Sequence, residues 1–152
     1  MLRIRESRPE EFDELWRVDQ QCFSFGIAYS REELAQYMRI PRAFTLVGEL
    51  LDGEAGIAGF VLATLDRRGT GHIITIDVLE EARRHGLGSQ LLKAAETRLG
   101  EQGCTRVLLE VAVDNRAAIA FYKRHQYSVL KTLPRYYLGT LDALLMGKGL
   151  TG

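Results

Sequence analysis

The sequence has few cysteines, no excess charge and no long apolar run. Cys22 and Cys104 are far apart, and the three histidines are scattered, which argues against a disulfide framework or a metal site. The 20 basic and 20 acidic residues balance, so overall charge gives no reason to expect binding to nucleic acid. No apolar stretch reaches the roughly 20 residues of a membrane span, and the N-terminus lacks a secretion signal's apolar core. We therefore expect a cytoplasmic protein without metal, direct nucleic-acid partner or membrane association.

Length and patterning indicate one domain of the α/β class, in its α+β form. The chain has 152 residues, 46% of them hydrophobic, so we expect a single domain over residues 1–152. Alternation and turn residues predict strands at residues 2–6, 43–50, 56–65, 72–78, 105–111, 127–133 and 143–147. Helices are predicted from Pro9, over residues 31–39, after Gly88 and over residues 115–124. The second, third and fourth of these strands should form an antiparallel meander.

Residues 76–92 are the most informative segment, because an apolar strand runs through a basic, glycine-bearing turn into an amphipathic helix. Arg83, Gly86 and Gly88 place positive charge and bare backbone where that helix begins. Unpaired N–H groups and the positive end of the helix dipole converge there, which predicts a phosphate site. The turn lacks the third glycine of the dinucleotide fingerprint and the Gly-Lys pair of the P-loop. An ordinary basic loop before a helix is the alternative interpretation.

The spacing of Arg83, Gly86 and Gly88 resembles the acyl-CoA pyrophosphate loop of the GNAT N-acetyltransferase superfamily, and the element order matches that fold throughout. The resemblance implies a mixed, mostly antiparallel seven-stranded sheet flanked by four helices. The strings RRHGLGSQLL, LLEVAVDNRAAIAFYKRHQY and RYYLGTLDALLM are similar to the branch that acetylates protein N-termini, which includes the bacterial ribosomal-protein alanine acetyltransferases. The implied activity is direct transfer of an acetyl group from acetyl-CoA to a primary amine, with a protein N-terminal α-amine as the leading acceptor.

The same resemblance assigns acetyl-CoA binding to the end of the fourth strand, the basic turn and the helix after the fifth strand. The strand end would bind the pantetheine arm through its backbone, and the turn would bind the pyrophosphate. Asn115 opens the later helix, so its side chain either only caps that helix or also contacts the cofactor. The implied cofactor-binding residues are Ile76, Asp77, Val78, Arg83, Arg84, His85, Gly86, Leu87, Gly88, Ser89, Asn115 and Tyr122. We interpret His72 and His125 as structural or surface residues.

Glu110 and Tyr122 are the predicted catalytic residues. Alternation places Glu110 on the same face of its strand as Leu108, where the carboxylate either lines a cleft or faces solvent. Glu110 and Tyr122 match the base and acid positions of the branch that acetylates N-termini. A carboxylate acting through water would take the ammonium proton, and a phenol would protonate the departing thiolate.

The amine to be acetylated decides how strong the base must be. At pH 7, deprotonation costs about 1.4 kcal/mol for an α-amine and about 4.6 kcal/mol for a lysine, from their reference pKa values. A modest base therefore suffices for an N-terminus. The resemblance further implies that Phe25, Tyr29 and Tyr137 wall the acceptor site.

Two departures bear on the acceptor rather than on acetyl transfer. Relatives usually have glycine where this chain has Gln126, so that turn either differs or is mildly strained. They often carry an acidic pair where this chain has Leu141 and Asp142. Two alternatives stay open: a small-molecule amine acetyltransferase acting on a polyamine, an amino acid or an antibiotic, and an inactive acyl-CoA-binding sensor. Either a monomer or a homodimer is compatible with the sequence.

Overall fold

The structure is a computed structural model that describes residues 2–23, 27–51 and 56–150. Within these residues the chain forms seven strands and four α-helices in the order that the sequence predicts. Their bounds are β1 Leu2–Glu6, α1 Phe12–Cys22, α2 Arg31–Met38, β2 Phe44–Leu50, β3 Gly56–Leu65, β4 Thr70–Val78, α3 Leu87–Glu101, β5 Arg106–Ala112, α4 Arg116–Arg124, β6 Ser128–Tyr137 and β7 Leu141–Gly149. Short 3₁₀ turns at Pro9–Glu11 and Glu80–His85 precede α1 and α3.

The strands form one sheet in the order β1-β2-β3-β4-β5-β7-β6. Every neighbouring pair is antiparallel except β4 and β5, which run parallel. The predicted meander of β2, β3 and β4 is confirmed, as is the mixed, mostly antiparallel seven-stranded sheet. A parallel pair needs a crossover between its strands, and α3 supplies it.

Strands β4 and β5 pair only at their beginnings. The parallel ladder joins Thr70, Gly71 and His72 to β5 and then stops. Beyond this point β4 contains a bulge, since Leu62 and Ala63 of β3 oppose Thr75 and Ile73 and leave one residue of β4 unpaired. Bulges bend a strand and increase its twist. The two strands therefore diverge and leave an open V in the middle of the sheet.

Each face of the sheet is covered by its own apolar core. One cluster packs α3 on the sheet through its inward leucines, with the inner side of α4 against it. The other packs α1 and α2 on the opposite face around Leu15, Leu34 and Phe60, which are fully buried. The apolar side of α1 faces this cluster, because Leu15 and Val18 are buried while Phe12 and Trp16 pack against it. The helices therefore fix the sheet from both sides, and the V opens between them.

The last two strands are longer than the sequence predicts. Strand β6 continues through Pro134 to Tyr137. Proline weakens a strand assignment because it lacks an N–H donor, but β6 lies at the edge of the sheet, where that donor is not needed. The extension places Tyr136 and Tyr137 at the end of an edge strand beside the V.

Gln126 turns the chain after α4 in a left-handed conformation, with φ of 75°. A residue with a Cβ is strained in this conformation by about 1–2 kcal/mol, and glycine removes that strain. Glycine also gives the unfolded chain more conformational freedom, which offsets part of the gain in stability. We expect Gln126→Gly to raise the free energy of unfolding by about 0.5–1 kcal/mol. Chemical denaturation measures this change. Gln102→Gly is the matched control, because Gln102 ends α3 at φ of −96° and should lose stability; equal effects at both positions would contradict the strain.

Candidate active site

A groove of about 1100 Å³ follows the V between β4 and β5. Its walls come from both faces of the sheet: the end of α1, the chain before α2, the basic turn, the start of α4 and the end of β6. Because the ladder between β4 and β5 stops after His72, the facing edges of these two strands do not hydrogen-bond to each other beyond that residue. Unpaired edge groups bind an extended chain by adding it as a strand. The groove therefore suits a long, amide-bearing ligand.

The basic turn shapes one end of this groove. Gly86 is the N-cap of α3 with φ of 76°, a left-handed conformation that glycine adopts without strain. Arg83 Nε donates to the carbonyl of Val78 at 3.0 Å, which fixes the turn to the end of β4. Arg83, Gly86, Gly88 and Ser89 all line the groove. The start of α3 therefore faces the groove with the N–H groups and charge that favour an anion.

Most of the predicted cofactor residues meet at this groove. Those that line it are Ile76, Val78, Arg83, Gly86, Gly88, Ser89, Asn115 and Tyr122. Leu87 and Asp77 are fully buried, so only their backbone groups remain available to a ligand. His85 is exposed and does not line the groove. The side chain of Arg84 lies outside the described part of the structure.

Two of these residues are held by neighbours on α4. Asn115 caps α4, since its Oδ1 accepts from the N–H of Ala118 at 3.1 Å. The cap leaves the amide nitrogen of Asn115 free to donate into the groove. Ser89 Oγ lies 2.9 Å from His125 Nε2, so His125 orients a hydroxyl at the start of α3. The interpretation of His125 as a structural residue agrees with this contact.

Glu110 points into the groove and has a partner that the sequence did not reveal. His72 Nε2 lies 2.7 Å from Glu110 Oε1, and both side chains are partly buried. An ionised carboxylate only accepts hydrogen bonds, so the imidazole donates its Nε2–H. The interpretation of His72 as a structural or surface residue did not include Glu110 as its partner. The ladder that places His72 opposite Leu108, two residues before Glu110, provides the contact.

A small hollow of about 230 Å³ also borders the His72–Glu110 pair. Thr64, Asp66, Thr70 and Leu108 line it together with the pair itself. Glu110 therefore lines both the groove and the hollow.

Tyr122 reaches the groove from α4, on the opposite face of the sheet from Glu110. Its ring packs edge-on against Phe121 and Tyr127, with centroids 5.3 and 5.8 Å away. Burial, followed by the nearby Asp77 carboxyl, raises the pKa of Tyr122 well above that of a free phenol. Tyr122 therefore keeps its proton at any physiological pH and can act as an acid, not as a base.

Tyrosines form the wall nearest α1, α2 and β6. The backbone of Tyr29 is fixed by Asp19 Oδ2, which accepts its N–H at 2.8 Å, and its hydroxyl donates to Ile74 O at 3.3 Å. Its ring packs on Tyr37, at 5.2 Å between centroids. Across the groove Tyr137 stacks edge-on with Tyr136 at 4.9 Å. The structure thus brings Tyr29 and Tyr137 to one groove, while Phe25 lies outside the described residues.

Comparison with known proteins identifies the family. The model of the acetyltransferase (GNAT) family matches residues 9–127, which includes β4, the basic turn and α4. The chain belongs to the GNAT acetyltransferase family. It is an N-acetyltransferase, and the groove between β4 and β5 lies where the resemblance placed the donor site.

Relatives extend the match over almost the whole chain. An uncharacterised N-acetyltransferase of Methanocaldococcus jannaschii is 34% identical over 146 residues, covering 95% of this chain and 90% of its own. An N-alpha-acetyltransferase of Sulfolobus acidocaldarius is 38% identical over 153 residues, with the same two coverages. Among solved structures, Ard1 from Thermoplasma volcanium superposes with a TM-score of 0.89 at 27% identity, covering 99% of each chain. The Thermoplasma volcanium protein thus shares the fold of this GNAT member.

No cluster of potential metal ligands occurs among the residues that the structure describes. None of the helices in those ranges is long and apolar enough to cross a membrane.

Proposed function

We propose that this GNAT enzyme transfers an acetyl group from acetyl-CoA directly to the α-amine of a protein N-terminus. The observation that carries the proposal is the single groove that Glu110 and Tyr122 enter from opposite faces of the sheet. A donor thioester lying in the V would have a hydrogen-bond acceptor on one side and a phenol on the other. That is the arrangement that attack by an amine and departure of a thiolate require.

The groove fits acetyl-CoA along its length. The unpaired edges of β4 and β5 offer backbone groups to the amides of pantetheine, as an added strand would. The turn at Gly86 and the start of α3 offer N–H groups, with Arg83 nearby, to the pyrophosphate. Asn115 and Ser89 add side-chain donors beside that turn. Backbone N–H groups at the end of β4 would also stabilise the carbonyl oxygen as negative charge develops on it.

The proton transfers balance within this site. Glu110, acting through a water, takes a proton from the acceptor ammonium, and the amine nitrogen then forms a bond to the thioester carbon. As the carbon–sulfur bond breaks, the nitrogen gives its second proton to solvent, and the phenol of Tyr122 donates its proton to the thiolate. Glu110 then releases its proton to solvent, and solvent returns one to Tyr122. His72 holds the carboxylate of Glu110 in the acceptor orientation throughout.

An N-terminal α-amine is the acceptor that best fits the wall and the relatives. The relative from Sulfolobus acidocaldarius is named an N-alpha-acetyltransferase. Tyr29 and Tyr137 face each other across the groove and would hold the backbone of an extended peptide.

Release of CoA thiol from acetyl-CoA tests the acceptor. The panel contains peptides with free N-termini, lysine peptides with blocked N-termini, and small amines such as a polyamine and free amino acids. We expect turnover of the free N-terminal peptides alone. Turnover of small amines alone would contradict the acceptor but leave the donor site standing. Binding of acetyl-CoA without turnover of any amine would instead identify a sensor.

A further inference from the structure

A pair of buried carboxyl groups lies directly beneath the acceptor wall. Asp19 is in the last turns of α1, and Asp77 is near the end of β4, beside the bulge that opens the V. Both side chains are 0% exposed. Burying a carboxylate without a cation is costly, so the pair needs an explanation that packing does not give.

The hydrogen bonds of the pair leave one oxygen of each carboxyl group for the other. Asp19 Oδ2 accepts the N–H of Tyr29 at 2.8 Å, and Asp77 Oδ1 accepts the hydroxyl of Thr75 at 2.5 Å. Asp19 Oδ1 and Asp77 Oδ2 are buried and have no donor among the described residues. Asp19 is the charged neighbour that acts on Asp77, at the contact of α1 with β4 where Cys22 Sγ donates to the carbonyl of Val78 at 3.4 Å. A bond between two carboxyl groups needs a proton, because ionised carboxylates only accept.

We propose that Asp19 and Asp77 hold one proton between them, and that this proton positions the acceptor wall by fixing the end of α1 to the floor of the groove. The link is short: Asp19 holds the backbone of Tyr29, and Tyr29 lines the groove. Asp77 lies on the strand that borders the V. Only the pair's expected effect on the KM for the acceptor rests on the proposed transfer reaction. Asp19 and Asp77 are positioning residues, since neither side chain lines the groove.

Among the residues that the structure describes, the titratable groups that act on the pair are neutral. Cys22 of α1, Tyr29 of the wall and Tyr122 of α4 face it, and burial raises the pKa of each, to about 12 for Cys22. All three are neutral near pH 7. The cation Arg83 acts on Cys22, and its Nε donates to the carbonyl of Val78. The shared proton is therefore what keeps the pair from carrying two negative charges.

The direction of the pH effect follows from this arrangement. Burial and the hydrogen bond to Asp19 raise the pKa of Asp77 well above its usual value. A raised pKa in the folded state adds stability that is fully present below the unfolded pKa and is lost as pH rises through the folded value. Loss of the proton leaves two like charges in contact and pushes α1 away from β4. The acceptor wall should then loosen, so the KM for the acceptor should increase with pH while kcat changes less.

Asp19→Asn and Asp77→Asn test the pair, since an amide supplies a permanent donor of nearly the same shape. At low pH each variant should have the acceptor KM of the wild type. As pH rises, we expect the ratio of wild-type to variant KM to grow about fivefold, which is the weakening of roughly one hydrogen bond. The thermal midpoint of each variant should rise relative to the wild type over the same pH range. A KM ratio that does not change with pH would overturn the proposal.

Infrared spectroscopy tests the proton without any substrate. Wild-type protein at pH 7 should show the carbonyl stretch of a protonated carboxyl group, and the double variant Asp19→Asn/Asp77→Asn should lack it. Absence of that band from the wild type would overturn the proposal even if transfer activity is normal, and its presence would support the pair even if the acceptor is misassigned. Asp66→Asn is the control: backbone N–H groups of Thr70 and Arg68 lower the pKa of Asp66, so this variant should keep the band and lose stability as pH rises.

Discussion

Tyr122→Phe should lower the rate of acetyl transfer about a hundredfold, the lower end of what a positioned general acid contributes. The change removes only the hydroxyl, so the ring still packs on Phe121 and Tyr127. The thiolate must then leave without its proton donor. Because the raised pKa of Tyr122 keeps the phenol protonated, the loss should be the same at every pH from 6 to about 9.

Single-turnover kinetics with acetyl-CoA and an accepted peptide measure this loss, and calorimetric titration measures acetyl-CoA binding separately. We expect the chemical step to slow while the Kd of acetyl-CoA changes less than about threefold, since the lost interaction serves the transition state. A wild-type rate in the variant would mean that another group, or water, protonates the thiolate.

Tyr127→Phe is the matched control, because the two rings touch and only one of them lines the groove. Tyr127 is buried and donates its hydroxyl to Glu96 Oε2 at 2.8 Å. Removing that donor should lower the free energy of unfolding by about 1.5–3 kcal/mol, as for hydrogen bonds to charged groups. Its transfer rate should stay normal. The two variants should therefore separate activity from stability, and a rate loss in both would indicate general damage to α4.

The sequence predicted the element order because its local signals agree with the packing. Ser30 and Glu33 form the capping box that starts α2, and both of its hydrogen bonds are present. The alternation of β5 places Val107 and Leu109 in the core and Glu110 toward the groove. In these elements the apolar positions of the sequence are the buried positions of the structure, so the pattern predicts the element.

Side-chain contacts that depend on strand pairing and bulges could not be predicted from the sequence pattern. His72 meets Glu110 only because β4 and β5 pair in parallel for three residues and then diverge. Strict alternation along β4 would place Asp77 on the same face as Ile73, toward the core under α3. The bulge instead turns Asp77 toward Asp19 on α1. Both contacts join residues that are far apart in the chain, and a one-residue change of register would remove them.

Glu110→Gln should lower the transfer rate about a hundredfold at pH 6, where the acceptor amine is protonated and needs a base. The deficit should narrow as pH approaches the amine's own pKa of about 8, because the neutral amine then forms without help. Glutamine keeps the size of the side chain and still accepts from His72, so the groove should retain its shape. The pH profile of kcat/KM for a free N-terminal peptide measures the change.

His72→Gln distinguishes a base that acts alone from one that acts as a pair. If His72 holds the carboxylate of Glu110 in its accepting orientation, the single variants and the double variant should lose similar amounts, since each disables the same unit. Losses that multiply in the double variant would mean that the two residues act independently. Glu96→Gln is the control, because this carboxylate bonds Lys148 and Tyr127 away from the groove.

A deficit in the transfer rate of Glu110→Gln that is constant with pH would assign the carboxylate to binding the acceptor. A deficit that closes near pH 8 would assign it to removing the proton from the acceptor amine.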